Sequence, residues 1–341
     1  MKNLSSILKV LLSLALGIGA MIWFWNSMSV EDQNQTIFAF KRANYFWVIL
    51  APIIGFLANF VRTQRWRLLL RPVGYNPQYT NTFYSVMTMY FFNLFVPRLG
   101  EVMRCSILAK YENVPVEKSI GTMVTERVLD ILCLGIVFVI VFLFLGQENY
   151  DILKANFNER TSGFGNGAIF QILKFSIPAL IIIGGGIFSI IYIKKNGLNK
   201  LLDLFKDKIG SLFKSIFSVK DVAEKPQFII LTIGMWLLYL VMFYINYLAL
   251  PETSDLPLFS ALVCLLFGSF AVIITPGGIG VYPIVIQMVL ATFKVEPSIG
   301  LAIGMIAWCV QTVGVLLGGI ISLVLLNLTN RNISDSNVST H

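Results

Sequence analysis

The sequence predicts an all-α protein, a polytopic transmembrane helical bundle of about six to eight spans with re-entrant or broken helices added to it. Three observations carry that expectation. First, 56% of the 341 residues are hydrophobic and only 13% are charged, with a mean hydropathy of +0.76. A soluble domain devotes about a quarter of its residues to charge, so this chain cannot clothe a water-facing surface. Second, the apolar residues fall in runs of about 20, the length that crosses a hydrocarbon core about 30 Å thick. Third, two of those runs are broken by proline, glycine or charge, as happens where a helix stops inside a membrane. A single membrane domain is expected over 1–330, followed by a short polar tail over 331–341.

The elements follow in order. Leu4 to Trp25 reads as a span, with Lys2 and Lys9 before it and Trp23 and Trp25 at its far interface. No small-residue cleavage site follows, so it is expected to stay as an anchor. Tyr45 to Val61 is a second span, and Arg62, Arg65, Arg67 and Arg71 form a basic edge after it. Val128–Leu145, Phe170–Ile193, Phe228–Leu250 and Ile299–Leu326 are further spans. Thr80 to Asp130 is apolar and then repeatedly charged, and Leu258 to Phe293 is interrupted by Pro276-Gly277-Gly278-Ile279-Gly280. Gly300/Gly304 and Gly314/Gly318 are four apart and suit close helix packing. No internal repeat is legible by eye.

The excess of positive charge orients the chain. With the N-terminus inside, the four arginines after the second span become cytoplasmic. The loop Lys194 to Lys225 holds eight lysines against four acids. It is also cytoplasmic only if Thr80–Asp130 crosses an even number of times, or dips in and returns. Both termini then lie in the cytoplasm of an inner, or plasma, membrane. Within that loop residues 198–218 form an amphipathic helix suited to the anionic leaflet surface.

Several function classes fall away. The one histidine is His341, the last residue. This leaves no Ser-His-Asp triad and no histidine metal site. Cys105, Cys133, Cys264 and Cys309 stand singly in apolar surroundings, with no metal or disulfide spacing. The net charge of +8 belongs to a membrane protein's cytoplasmic loops rather than to a nucleic-acid surface. No catalytic residue, metal ligand or cofactor is expected.

The informative residues are charged ones in apolar surroundings. In Pro97-Arg98-Leu99-Gly100-Glu101-Val102-Met103-Arg104 the charges sit three apart, on a broad helix face. In Glu126-Arg127-Val128-Leu129-Asp130 the two acids are four apart, at the mouth of an apolar span. Arg98, Arg104 and Arg127 balance Glu101, Glu126 and Asp130. A single charge at the bilayer centre costs about 2.5–3.5 kcal/mol, so the six must pair, meet water or sit at an interface. Pairing around a wet cavity would hold arginine forks for a phosphate, with acids to position them. The break Thr275-Pro276-Gly277-Gly278-Ile279-Gly280 would bring backbone N–H groups to the same anion. The expected substrate-binding residues are therefore Arg98, Glu101, Arg104, Glu126, Arg127, Asp130, Thr275, Gly277, Gly278 and Gly280.

Taken in order, Pro97-Arg98-x-Gly100-Glu101-x-x-Arg104, Glu126-Arg127-x-x-Asp130 and Pro276-Gly277-Gly278-Ile279-Gly280 resemble the transmembrane region of lysylphosphatidylglycerol synthases, a flippase-like family. The resemblance covers nearly the whole chain. It implies a bundle with re-entrant helices that moves an aminoacylated phospholipid, or a related lipid, between leaflets. Synthase activity is not expected, because the last span is followed only by the short tail. One departure stands out: family members commonly carry an acid soon after the glycine motif, and here Val281-Tyr282-Pro283 follows. That weighs against a substrate whose ammonium group needs a carboxylate there.

The leading expectation is a lipid flippase-like transporter for a phospholipid or polyprenyl-linked lipid, without nucleic acid; a homodimer is compatible with it. No ATP-binding motif is visible, so movement is expected to be passive or coupled to an ion or voltage. A membrane glycosyltransferase is the enzymatic alternative, with Glu31-Asp32 as its acidic pair, and a non-catalytic partner of a lipid-modifying enzyme is the third reading.

Overall fold

The computed structural model describes residues 28–96, 98–146 and 222–330, together with the isolated positions 19, 22, 25 and 26. Most of the expected span Leu4–Trp25, the span Phe170–Ile193, the amphipathic segment 198–218 and the tail 331–341 lie outside the described residues. Among those residues every regular element is helical: α1 (Val30–Arg42), α2 (Tyr45–Leu70), α3 (Tyr79–Phe95), α4 (Leu99–Glu112), α5 (Val116–Phe144), α6 (Lys225–Tyr247), α7 (Leu258–Ile274), α8 (Val281–Thr292) and α9 (Pro297–Thr329). α2, α5, α6 and α9 are long and apolar enough to cross a membrane.

α2 and α6 lie antiparallel and are clamped at both ends. Arg42, just before α2, pairs with Glu252, just after α6; Arg71, after α2, pairs with Glu224, before α6. These clamps define two ends of the bundle, called here upper (Arg42–Glu252) and lower (Arg71–Glu224). α1 caps the upper end against the start of α9, where Thr36 donates to the Ser298 carbonyl. α9 reaches the lower end, where Asn330 and Asn81, at the start of α3, exchange amide hydrogen bonds of 2.8 and 3.1 Å.

The two irregular segments are helical hairpins that enter from opposite ends. α3 climbs from the lower end for 17 residues and α4 descends for 14, so each is about 20–25 Å long, too short to span. α7 descends from the upper end for 17 residues and α8 climbs back for 12. Of the arrangements expected for these segments, a re-entrant hairpin or a pair of short or broken spans, the hairpin is what forms in both. The tips meet: a Cβ on Gly277 would lie 2.9 Å from Leu94 Cδ2, and the Trp308 indole N–H of α9 donates to the Gly277 carbonyl at 2.8 Å. Trp308→Phe deletes that donor and should lower stability by about 1 kcal/mol. Thermal unfolding in detergent measures it; an unchanged melting temperature would mean the tip is held by packing alone.

The tips are built alike. Val96 (φ −130°, ψ 112°) and Thr275 (φ −125°, ψ 145°) are extended, and each donates its N–H back into the preceding helix. Two residues on, Arg98 (φ 66°, ψ 0°) and Gly277 (φ 62°, ψ 13°) are left-handed. Leu99 then donates to the Val96 carbonyl and Gly278 to the Thr275 carbonyl. Val96 and Thr275 are 179 residues apart (275 less 96), as are the starts of α3 and α7 (258 less 79) and their ends (274 less 95). α2/α6, α4/α8 and α5/α9 begin within three residues of the same offset. The chain is therefore an inverted repeat, each half a long helix, a re-entrant hairpin and a second long helix. The absence of a legible repeat is thereby corrected: at this offset Pro97/Pro276, Gly55/Gly234, Gly121/Gly300 and Gly135/Gly314 coincide, but most of the apolar residues between them differ.

Close packing falls where small residues allow it. A Cβ on Gly304 would come within 2.7 Å of the Pro283 carbonyl of α8, and one on Gly318 within 2.4 Å of Met87 of α3. α4 meets α3 backbone to backbone at Gly100, where a Cβ would fall 1.9 Å from the Met89 carbonyl oxygen. One apolar core fills the upper half around Tyr247, Val263, Ile286 and Ile303. A second, around Trp66, Leu70, Leu108 and Phe228, closes the lower end.

Candidate functional site

The charges gather between α2, α4 and α5, below the α3/α4 tip. Glu126 is wholly buried and holds three arginines. Its Oε1 accepts from Arg62 and, at 3.3 Å, from Arg65; its Oε2 accepts from Arg104 at 2.7 Å. Asp130, one turn further up α5, accepts from Arg62 at 3.0 Å and from Arg65 at 2.6 Å. Arg104 lies flat on the Trp66 ring, 3.4 Å from its centroid. Arg62 also donates to the Tyr239 hydroxyl of α6 at 3.2 Å. At the margin, Arg127 pairs with Glu101 at 3.1 Å, with their side chains 36% and 19% exposed.

The depth of this cluster decides between loop charges and an interior site. Arg62 lies nine residues before Arg71 of the lower clamp and Glu126 ten residues into α5, so the cluster sits about 13–15 Å in from the lower end. Charges at that depth persist only if paired or hydrated, and these are paired in order along helix faces. Interfacial loop charges are thus not what the sequence encodes.

The structure redraws the expected site at several residues. α2 does not stop at Val61 but continues to Leu70, so Arg62 and Arg65 are helix residues buried in the cluster rather than part of a basic edge; of the four, Arg67 and Arg71 lie nearest the helix end. The apolar continuation through Trp66, Leu68, Leu69 and Leu70 was the available signal, since it keeps the helical face of Arg62 and Arg65 turned inward. α5 begins at Val116, not Val128, which places Glu126 and Asp130 well inside a helix instead of at its mouth. Arg98 does not share the helical face of Glu101 and Arg104. It is the left-handed residue capping α4, exposed, and joins none of the cluster's ion pairs. That backbone state costs a non-glycine residue roughly 1–2 kcal/mol.

Thr275, Gly277, Gly278 and Gly280 form the opposing tip. All three glycines have positive φ, and Thr275 Oγ1 donates to the Ala271 carbonyl. Among the described residues no hydrogen bond or ion pair joins this turn to the arginines; its contacts are to Leu94, Trp308, Val272 and Tyr282. Glu31 and Asp32 stand in the first turn of α1 at the upper end, where the Asp32 N–H donates to Ser29, a helix-capping arrangement away from the cluster.

The corrected cluster carries Arg62, Arg65, Arg104 and Arg127 against Glu101, Glu126 and Asp130, an excess of one positive charge where the sequence reading balanced at zero. Several of its polar atoms are unfilled. Arg65 Nε and Nη1, Arg104 Nε and Glu101 Oε2 are buried without a hydrogen-bond partner among the described residues. Buried donors of this kind cost about 1–3 kcal/mol each, and an anion would satisfy them.

Apolar spans, opposed re-entrant hairpins and a buried ion cluster at one tip define a helical integral membrane protein of inverted-repeat architecture. Residues 8–319 match the family described as lysylphosphatidylglycerol synthase TM region, and the chain belongs to that family. It is similar to a UPF0104 membrane protein of Methanocaldococcus jannaschii, 24% identical over 316 residues that cover 87% of this chain and 89% of the relative. No solved structure matches this chain.

Proposed function

We propose that the protein is a lipid flippase-like transporter that carries a phospholipid headgroup between leaflets of the cell's inner membrane. The observation that supports it most is the buried, net-positive arginine cluster with unfilled donors, held below the tip of a re-entrant hairpin. Arg127 and Glu101, being partly exposed, form the approach to it, and Arg65 and Arg104 supply the deeper donors. Inverted-topology repeats with discontinuous helices at the mid-membrane are a recurring transporter plan, with the substrate held where the halves meet. In this reading both termini and residues 198–218 face the cytoplasm, the latter on the anionic leaflet.

The test is translocation of fluorescent phosphatidylglycerol in reconstituted vesicles, read by chemical quenching of the outer leaflet. The native protein should accelerate it over protein-free vesicles. Arg127→Gln, at the partly exposed margin, should slow it about tenfold, the loss of roughly one charge-assisted hydrogen bond. Equal rates for native protein and variant would remove the cluster from the pathway.

A further inference from the structure

The inverted repeat supplies an internal control for the headgroup's charge. Each cluster residue has a counterpart 179 positions later. The arginines map onto Val241, Tyr244, Gly277, Pro283 and Ile306, and the acids Glu101, Glu126 and Asp130 onto Gly280, Met305 and Cys309. The second half therefore brings neither carboxylate nor cation to the place where the tips meet. Its turn also shows that glycine fits the left-handed position that Arg98 occupies in the first half. In the first half an arginine is held there against backbone preference, exposed at the hairpin tip, which makes its guanidinium a candidate headgroup contact.

The carboxylates, by contrast, are largely committed. Both oxygens of Glu126 and of Asp130 accept from arginines. Glu101 gives one oxygen to Arg127, and its other oxygen is buried in a pair whose charge already sums to zero. Five arginines, counting Arg98, stand against three acids. Among the described residues the cluster thus offers spare donors on Arg65 and Arg104, with Arg98 at the tip above them, against a single unpartnered carboxylate oxygen on Glu101.

We infer that the headgroup taken at this site is a net-anionic phosphodiester without an ammonium group, as in phosphatidylglycerol, and not an aminoacylated one; this rests on the transport reading above. The phosphodiester oxygens accept from the unfilled guanidinium N–H groups. A lysyl headgroup would set a second cation against the excess positive charge.

Vesicles carrying the native protein and one of two fluorescent lipids with the same chains, phosphatidylglycerol or lysylphosphatidylglycerol, decide it. Phosphatidylglycerol should move about tenfold faster or more, because like charges in an apolar site repel strongly. Arg98→Gly, which suits the left-handed backbone and so should fold, should narrow that ratio by slowing the anionic lipid. Equal or faster movement of the lysyl lipid would overturn the headgroup assignment while leaving transport standing. Movement of neither lipid by protein that melts cooperatively would overturn the transport reading itself. Inorganic phosphate is the second arm: protection of the protein against thermal unfolding by phosphate as strong as that by phosphatidylglycerol would make the occupant a free anion and overturn the lipid assignment.

Discussion

Glu126→Ala should destabilise the protein by about 3–5 kcal/mol, the cost of breaking a buried ion pair by removing one partner. The reason is concentration of function on one side chain. Arg62, Arg65 and Arg104 come from two different helices and share Glu126 as acceptor. Without it, three guanidinium groups face one another with only Asp130 left, and Arg104 keeps no carboxylate at all. α4 should then keep only the partly exposed Arg127–Glu101 pair as an ionic tie to α5. The expected result is a melting temperature in detergent well below that of the native protein, with poor yield in the membrane fraction. Glu126→Gln retains the shape and should cost less than alanine but still more than Arg42→Ala at the exposed upper clamp, where about 1 kcal/mol or less is at stake. A Glu126→Ala protein as stable as the Arg42→Ala protein would mean that the arginines are held apart by something other than this carboxylate.

The second large effect is expected at Gly100. The Met89 carbonyl oxygen lies 1.9 Å and Asn93 Oδ1 2.7 Å from the position of an added Cβ. The first of these is backbone and cannot step aside by changing rotamer. Gly100→Ala must push α4 away from α3 and stretch the bond in which the Gly100 N–H donates to Asn93 at 2.9 Å. Overpacking of this kind costs about 1–3 kcal/mol, and here it also displaces Glu101 and Arg104, one and four residues further along α4. Gly135→Ala is the matched comparison: nothing lies within 4 Å of its Cβ position, and alanine in a helix interior should be neutral or favourable by about 0.5–1 kcal/mol. Thermal unfolding of the two variants side by side reads the difference. Equal melting temperatures would show that α3 and α4 separate without penalty.

Much of the architecture is legible in the sequence because it rests on composition and on breaks. The runs of apolar residues predict α2, α5, α6 and α9, and the charge count of the Lys194–Lys225 loop points to either a pair of short spans or a re-entrant dip over Thr80–Asp130, of which α3 and α4 form the dip. Pro276 to Gly280 marks the second tip directly. The small residues at 304 and 318 point correctly to tight contacts. What is not legible is where charges stop marking the end of a span. Arg62 and Arg65 look like the edge of α2, since in most helices an arginine after 17 apolar residues meets headgroups. They are interior only because Glu126 and Asp130 reach them from 61 to 68 positions away, and that is a tertiary fact. Arg98 misleads in the other direction. Its spacing from Glu101 and Arg104 fits a helix face, yet the turn after Val96 sets it left-handed and outside the helix.

The match between the two halves in shape, and their mismatch in charge, gives the molecule an electrical handedness. A fold that reads the same from either leaflet would feel a transmembrane voltage equally in both directions. Here the excess positive charge lies on only one side of the contact between Leu94 and Gly277. An anion settled there has traversed a fraction of the field, which is worth about 2.3 kcal/mol per elementary charge for each 100 mV across the whole bilayer. In the transport reading proposed above, polarising the membrane would then bias occupancy of the site toward one face.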